Sequence, residues 1–129
     1  MNKNSDLLMI AKKSADNAYA PYSKFKVGCA LKAISGNIYS GCNVENISYP
    51  VGTCAEAGAI AAMINGGDTK IAEILVYADS SHLISPCGAC RQRIAEFADK
   101  HTKVYLANSN GIEKEILITE LLPMGFAEF

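Results

Sequence analysis

The sequence predicts an α/β fold, a three-layer α/β/α sandwich in which helices cover a five-stranded mixed sheet. Two observations carry this prediction. Apolar residues change between helical and strand spacing along the chain, in the order α-β-β-α-β-α-β-β. In addition, residues 71–78 form an apolar run of the kind seen in central strands that are buried on both faces. With 129 residues, we interpret the chain as a single domain over residues 1–129.

The first part of the chain is predicted to contain one helix and a β-hairpin. Ser5 is the expected N-cap of a helix that runs to about Ala20, and a proline follows as the stop signal. Alternating apolar residues from Phe25 to Ala33 predict the first strand. A polar turn separates it from the second strand at residues 38–43, and a loop over residues 44–52 comes next.

Two more helices and three more strands complete the prediction. Residues 53–65 are expected to form a helix that two glycines close, and the strand at residues 71–78 follows it. Ser85 is the expected N-cap of the next helix, which runs from about residue 87 to residue 98. The last two strands are predicted at residues 103–107 and 112–117, on either side of a polar turn.

Composition argues against several classes of function. The formal net charge is −1 and the 12 Lys and Arg residues form no basic block, so no nucleic-acid partner is expected. No run approaches the ~20 apolar residues of a membrane span, and the N-terminus lacks the apolar core of a signal peptide. We therefore expect a cytoplasmic protein with no membrane partner. Five cysteines without a secretion signal favour metal-binding or buried thiols over disulfides.

Three of the cysteines fall at predicted helix starts. Cys54 begins one helix, and Cys87 and Cys90 lie in the first turn of another. A C-x-x-C pair at a helix N-terminus directs both sulfurs the same way, and the helix dipole there favours the thiolate. Three protein ligands are typical of a catalytic zinc with an open fourth position. Glu56, two residues after Cys54, is expected near that position as a proton carrier that does not bind the metal.

Other interpretations of these residues remain open. Glu56 would also fit a capping box with Thr53, in which the carboxylate reaches back to the N-cap amide. The C-x-x-C alone would fit a redox pair, which leaves Cys54 unexplained. A closed structural zinc would need a fourth ligand. The remaining cysteines and histidines are Cys29, Cys42, His82 and His101. We expect these two cysteines to be buried and the two histidines to be exposed.

Several segments together resemble the small, homotetrameric cytidine deaminases, a family of zinc-dependent enzymes. The segments are PYSKFKVGCAL at 21–31, GCNVENISYP at 41–50, SPCGACRQ at 85–92 and LLPMGF at 121–126. The chain also has CAE at 54–56 and PCGAC at 86–90. These correspond to the H-x-E and P-C-x-x-C signature of zinc deaminases, with cysteine in place of histidine. The resemblance covers most of the chain from residue 21 to residue 126.

The resemblance implies one zinc ion per chain, held by Cys54, Cys87 and Cys90, with Glu56 as the catalytic residue. The implied reaction is hydrolytic deamination of free cytidine, and of 2′-deoxycytidine, to the uridine product and ammonia by a zinc-bound hydroxide, in pyrimidine salvage. A homotetramer with shared active sites is implied as well. The implied substrate-binding residues are Phe25, Asn43, Glu45, Tyr49, Ala55 and Phe126. Phe126 would come from a neighbouring subunit; the alternative is an ordinary core phenylalanine.

One residue departs from the pattern of this family. Its members commonly have an arginine directly after the catalytic glutamate, where it hydrogen-bonds the zinc thiolates, but this chain has Ala57. Zn²⁺ with three thiolates formally carries one negative charge, which two helix N-termini of about +0.5 charge each offset in part. We therefore expect an effect on zinc affinity and on the pH optimum. Arg91 and Arg93 are interpreted as a solvated helix face.

Two alternative functions follow from the same residues. A deaminase of a modified nucleoside, such as blasticidin S, would share the zinc and the glutamate. A noncatalytic module that zinc stabilises is the alternative outside this class of enzymes. A polynucleotide deaminase is disfavoured because the chain lacks a basic and aromatic surface that would bind a strand.

Overall fold

The central sheet positions every other part of the molecule. A computed structural model describes residues 3–128, with side chains from residue 6 onward. The strands are β1 (Val27–Ala33), β2 (Ile38–Cys42), β3 (Ile71–Ala78), β4 (Lys103–Asn108) and β5 (Gly111–Leu117). Their order in the sheet is β2-β1-β3-β4-β5. β3 and β4 pair in parallel and the other neighbouring pairs are antiparallel, so the prediction of a five-stranded mixed sheet is confirmed.

Helices cover both faces of this sheet. They are α1 (Lys3–Asp16), α2 (Ala55–Asn65), α3 (Gly88–Glu96) and α4 (Ile118–Leu121), with a 3₁₀ turn at Tyr49–Val51. α1 packs on one face, where Leu7 belongs to the same buried cluster as Leu75. α2, α3 and α4 pack on the other face, where Met63 and Ile94 cluster with Ile74. The predicted α/β/α sandwich is therefore confirmed. Among the described residues, no helix is long and apolar enough to cross a membrane.

β3 shows why the apolar run at residues 71–78 has no polar face. Ile74 and Val76 belong to the cluster beneath α2 and α3, whereas Leu75 and Tyr77 belong to the cluster beneath α1. Successive side chains of a strand point to opposite faces, so both faces of β3 are buried. β3 also begins the crossover through α3 to the parallel strand β4, and this connection carries the C-x-x-C motif.

A close approach between α2 and β2 positions the start of α2. Gly41 lies in β2, and a Cβ atom there would be 2.4 Å from the amide nitrogen of Ala59 and 2.8 Å from the carbonyl oxygen of Ala55. Any side chain at this position would push the helix away from the sheet. The absence of a side chain lets the first turn of α2, which contains Glu56, lie directly on the strand.

The first helix differs from the prediction at both ends. α1 already includes Lys3, so the prediction of Ser5 as its N-cap is wrong; the Ser5 side chain lies outside the described part of the chain. The helix ends at Asp16 and not at Ala20. Beyond the helix, the amide of Tyr19 donates to the carbonyl of Asn43 at 3.0 Å. The carbonyl of Tyr19 accepts from the amide of Glu45 at 2.8 Å.

α2 and α3 also begin at later residues than predicted. Cys54 is the N-cap of α2 and Cys87 is the N-cap of α3, each with extended backbone and without a side-chain capping bond. The prediction of Ser85 as an N-cap is wrong, because its hydroxyl accepts a hydrogen bond from Arg91 at 2.6 Å. The sequence prediction also missed α4. This helix has only four residues, which is too short for apolar periodicity to reveal.

Candidate active site

Three cysteine sulfurs meet where α2 and α3 begin. The Sγ atoms of Cys54, Cys87 and Cys90 all lie within 4.8 Å of one another. In the described part of the chain, no other group of three Cys, His, Asp or Glu side chains is arranged in this way. The predicted grouping of these cysteines is therefore confirmed. No fourth Cys or His joins the group, so the closed four-ligand alternative fails for the described residues.

This donor set fits a zinc ion with one open position. Zinc binds thiolates at about 2.3 Å in tetrahedral array, which corresponds to sulfurs about 3.8 Å apart. Sulfurs already within 4.8 Å of one another would need only a small contraction to bind it. Two of the three ligands are helix N-caps, where the positive ends of the helix dipoles favour the thiolate form.

The three thiols differ in electrostatic environment. A hydrogen bond from the backbone N–H of Cys90 is the main cause that lowers the pKa of the Cys87 thiol. Burial is the main cause that raises the pKa of the Cys54 and Cys90 thiols. A metal that binds all three must therefore displace protons, chiefly from the two more buried sulfurs.

Glu56 is the buried acid of this site. It lies in the first turn of α2, is only 4% exposed and lines the same cavity as Cys54 and Cys87. Burial raises the pKa of its carboxyl, while its own backbone amide and the Cys90 thiol act in the opposite direction. The alternative of a capping box with Thr53 is wrong, because Cys54 is the N-cap and no side chain caps the helix.

A cavity opens from the cysteines and Glu56 toward the loop that follows β2. Its volume of 630 Å³ lies within the range of small-molecule binding sites. Five of the predicted substrate-binding residues line it, namely Phe25, Asn43, Glu45, Tyr49 and Ala55. The sixth, Phe126, is not among the lining residues, and 65% of its surface is exposed.

Asn43 is held in place by backbone groups. Its Oδ1 accepts a hydrogen bond from the amide of Val27 at 2.8 Å, and its Nδ2 donates to the carbonyl of Phe25 at 2.9 Å. The side-chain amide therefore spans the segment that leads into β1. Since an Asn amide nitrogen carries two N–H groups, one of them remains to donate to a ligand in the cavity.

Glu45 is held by the loop that follows α1. Its carboxylate accepts from the amides of Tyr22 and Ser23 at 3.0 and 3.1 Å, and from the hydroxyl of Ser23. The Ser23 hydroxyl is the main cause that lowers the pKa of this carboxyl, so Glu45 stays ionised. Its two oxygens offer about four acceptor sites, so capacity for a further donor remains.

A family model described as the cytidine and deoxycytidylate deaminase zinc-binding region matches residues 1–107 of this chain. The chain belongs to the cytidine deaminase family. Among curated relatives, a cytidine deaminase of Sporosarcina psychrophila is 44% identical over 122 residues, which are 95% of this chain and 90% of that protein. The family match agrees with the three-cysteine site, because its model describes a zinc-binding region.

Solved cytidine deaminases have the same fold. The structure of cytidine deaminase from Burkholderia pseudomallei superposes with a TM-score of 0.91 at 39% identity, and covers 98% of this chain and 100% of its own. A blasticidin-S deaminase of Bacillus cereus is 33% identical over 112 residues, which are 81% of this chain and 79% of that protein. This chain is thus more similar to the Sporosarcina cytidine deaminase than to that enzyme.

The interpretation of Arg91 and Arg93 as a solvated helix face is correct only in part, because Arg93 is exposed whereas Arg91 is half-buried in this cytidine deaminase family member. Arg91 donates to the carbonyls of Pro86 and Leu121, both at 2.9 Å, and thereby ties the loop before Cys87 to α4. Arg93 donates from Nη1 to Sγ of Cys90 at 3.3 Å. The sequence contained a signal for this contact, because residues three apart on a helix are neighbours.

Proposed function

We propose that this chain is a zinc-dependent cytidine deaminase that hydrolyses free cytidine to uridine and ammonia. One observation carries the proposal: Glu56 is 4% exposed and lines a 630 Å³ cavity together with two of the three clustered cysteines. A buried acid beside a three-thiol metal site is the arrangement that deamination by an activated water requires. Similarity to curated cytidine deaminases supports the same reaction.

Cys54, Cys87 and Cys90 would hold the zinc ion. When bound, zinc supplies a Lewis acid that lowers the pKa of a water at its open position. Glu56 takes up the proton that this water loses and passes it to N3 of the pyrimidine ring, which makes C4 electrophilic for addition of the oxygen. Glu56 then takes the second proton from the oxygen that has added to C4 and carries it to the amino group, so that ammonia leaves C4 as the C4 carbonyl forms. Burial raises the pKa of Glu56, so its carboxyl can hold the proton between these steps.

The cavity supplies groups that would bind the two parts of a nucleoside. The backbone of Ala55, at the first turn of α2, would bind the polar edge of the base, and Phe25 would contact its ring. The remaining N–H of Asn43 and the ionised carboxylate of Glu45 would bind sugar hydroxyls. We propose that 2′-deoxycytidine is also a substrate, because it carries the same base and lacks only one of the sugar hydroxyls.

We further propose a homotetramer in which neighbouring chains share active sites. Tyr49 lines the cavity and is 75% exposed, and the nearby Ile47 and Val51 are 80% and 62% exposed. Apolar side chains exposed together at the edge of a cavity support an interface there. Phe126, which is exposed and does not line the cavity of its own chain, would contact the base bound in a neighbouring subunit. A reaction on free nucleosides supports a role in pyrimidine salvage in the cytoplasm.

Ammonia release from a panel of nucleosides tests the function. We expect release from cytidine and 2′-deoxycytidine, about one zinc per chain, and loss of release in Glu56→Gln with zinc retained. Faster release from blasticidin S than from cytidine would support the modified-nucleoside alternative instead. Zinc without ammonia release from any member of the panel would support the noncatalytic module. Sedimentation of the active protein tests the tetramer.

A further inference from the structure

Arg93 places a positive charge against the metal-binding sulfurs. Its Nη1 donates to Sγ of Cys90 at 3.3 Å from one turn further along α3. Arg91 contributes nothing comparable, because its three donor nitrogens bond to Pro86, Leu121 and Ser85.

The metal site has an excess of negative charge that α2 does not balance. Zn²⁺ with three thiolates formally carries one negative charge, and Glu56 adds a second when it is ionised. α2 has the sequence AEAGAIAAMIN, so it brings a carboxylate to the site and no cation. Cys90 is completely buried, whereas the side chain of Arg93 is exposed, so their hydrogen bond joins a buried sulfur to a solvent-facing guanidinium.

We propose that Arg93 is a positioning residue, which supplies from α3 the positive charge that Ala57 does not supply from α2. Its guanidinium donates a charge-assisted hydrogen bond to the Cys90 thiolate, offsets the charge of the zinc–thiolate cluster and holds Cys90 in its ligating orientation. This inference rests on the proposed zinc-dependent function, in that it requires zinc at the three cysteines.

The direct test is the zinc affinity of Arg93→Ala, measured at fixed pH by competition with a chromogenic chelator. Partners of metal ligands typically contribute 10- to 100-fold in metal affinity, so we expect a loss of about that size. Arg93→Lys should recover part of the loss, because it keeps the charge but not the planar guanidinium. Lys100→Ala is the matched control, since it removes an equal charge from an exposed position just after α3 and should leave zinc affinity unchanged.

A relocation experiment tests whether charge, and not local packing, is the cause. Ala57→Arg in the Arg93→Ala background should restore zinc affinity, because it places a cation on the first turn of α2. In the wild-type background the same substitution should change zinc affinity less. With Co²⁺ in place of zinc, Arg93→Ala should shift the thiolate-to-cobalt charge-transfer absorption and Lys100→Ala should not.

Separate outcomes decide the inference and the function on which it rests. Unchanged zinc affinity in Arg93→Ala, or an equal loss in Lys100→Ala, would overturn the role of Arg93 even if the wild-type protein deaminates cytidine. Conversely, wild-type protein that binds zinc but releases no ammonia would overturn the proposed function. A lower zinc affinity in Arg93→Ala would in that case still support the role of Arg93 at the metal.

Discussion

Gln92 holds the backbone of Phe126 through a pair of hydrogen bonds. Its Nε2 donates to the carbonyl of Phe126 at 2.9 Å, and its Oε1 accepts from the amide of Phe126 at 3.2 Å. The C-terminal segment is therefore tied to α3 two residues beyond Cys90, while 65% of the Phe126 surface is exposed. The alternative of an ordinary core phenylalanine is wrong. The residue does not line the cavity of its own chain.

Phe126→Ala should raise KM for cytidine without releasing zinc. A stacked aromatic contact contributes about 0.5–1.5 kcal/mol of binding free energy beyond that from burial of its surface. Its loss corresponds to about a 2- to 13-fold higher KM. Steady-state kinetics together with zinc content checks this. Gln92→Ala is a useful companion variant, because it should loosen the segment and raise KM in the same direction. An unchanged KM in Phe126→Ala would exclude contact between this ring and the substrate.

Mixing two inactive or impaired chains should regenerate wild-type sites if the site is shared. Glu56→Gln chains lack the proton carrier and Phe126→Ala chains lack the ring. Mixed oligomers of the two should contain some sites with both residues intact, so activity should exceed the sum of the separate preparations. No gain in oligomers whose mixed composition is verified by mass would place both residues in one chain.

Glu56→Gln should abolish turnover and leave the metal in place. The substitution keeps the shape of the side chain but removes the ionisable group, so we expect kcat to fall at least ~10²-fold. Zinc content measured on the same sample should stay near one per chain, since the three cysteines that would hold the metal are unchanged. Near-normal turnover would show that another group carries the proton.

Replacing any one of Cys54, Cys87 and Cys90 with alanine should release zinc and stop turnover. Cys29→Ala provides the contrast, because this thiol is fully buried in the core next to the site but does not belong to the three-sulfur group. It should lower stability and retain zinc. Metal analysis after dialysis distinguishes the two results, and zinc retention in Cys54→Ala would refute the ligand assignment.

Tyr39→Phe should destabilise the protein in a pH-dependent manner. The Tyr39 hydroxyl donates to Asp68 at 2.6 Å, and this bond is the main cause that lowers the pKa of the Asp68 carboxyl. A depressed pKa stabilises the fold above the unfolded value of about 3.9, and the effect is lost as the pH falls through the folded value. The difference in melting temperature should therefore be largest near neutral pH and shrink below about pH 4.

The control for this measurement is the same Tyr39→Phe comparison made in a protein that also carries Asp68→Asn. In that background Tyr39→Phe should lose its pH dependence, because no carboxyl remains whose pKa the hydroxyl can lower. A pH-dependent difference that persists there would assign the effect to another titrating group.

The sequence by itself determined the fold class and the chemistry of the site. Side chains alternate along strands and recur along helices, so the order of elements and the doubly buried strand β3 can be read from local pattern alone. The C-x-x-C pair and the C-x-E spacing are also local. Each motif places its side chains at the start of a single helix, independently of how the rest of the chain folds.

Only the tertiary structure decided which of these local groups meet. The contact between Cys54 and the C-x-x-C pair depends on how α2 and α3 pack against the sheet, and Gly41 permits that packing through a backbone approach that no periodicity encodes. Arg93 was interpreted as a solvated residue and its side chain is exposed, but its Nη1 also donates to Sγ of Cys90 on the same helix. Ser85 had a strong capping signal, but the guanidinium of Arg91 binds its hydroxyl instead. Such contacts cannot be read from periodicity because several donors and acceptors compete for the same polar groups, and the packed arrangement decides which pairs form.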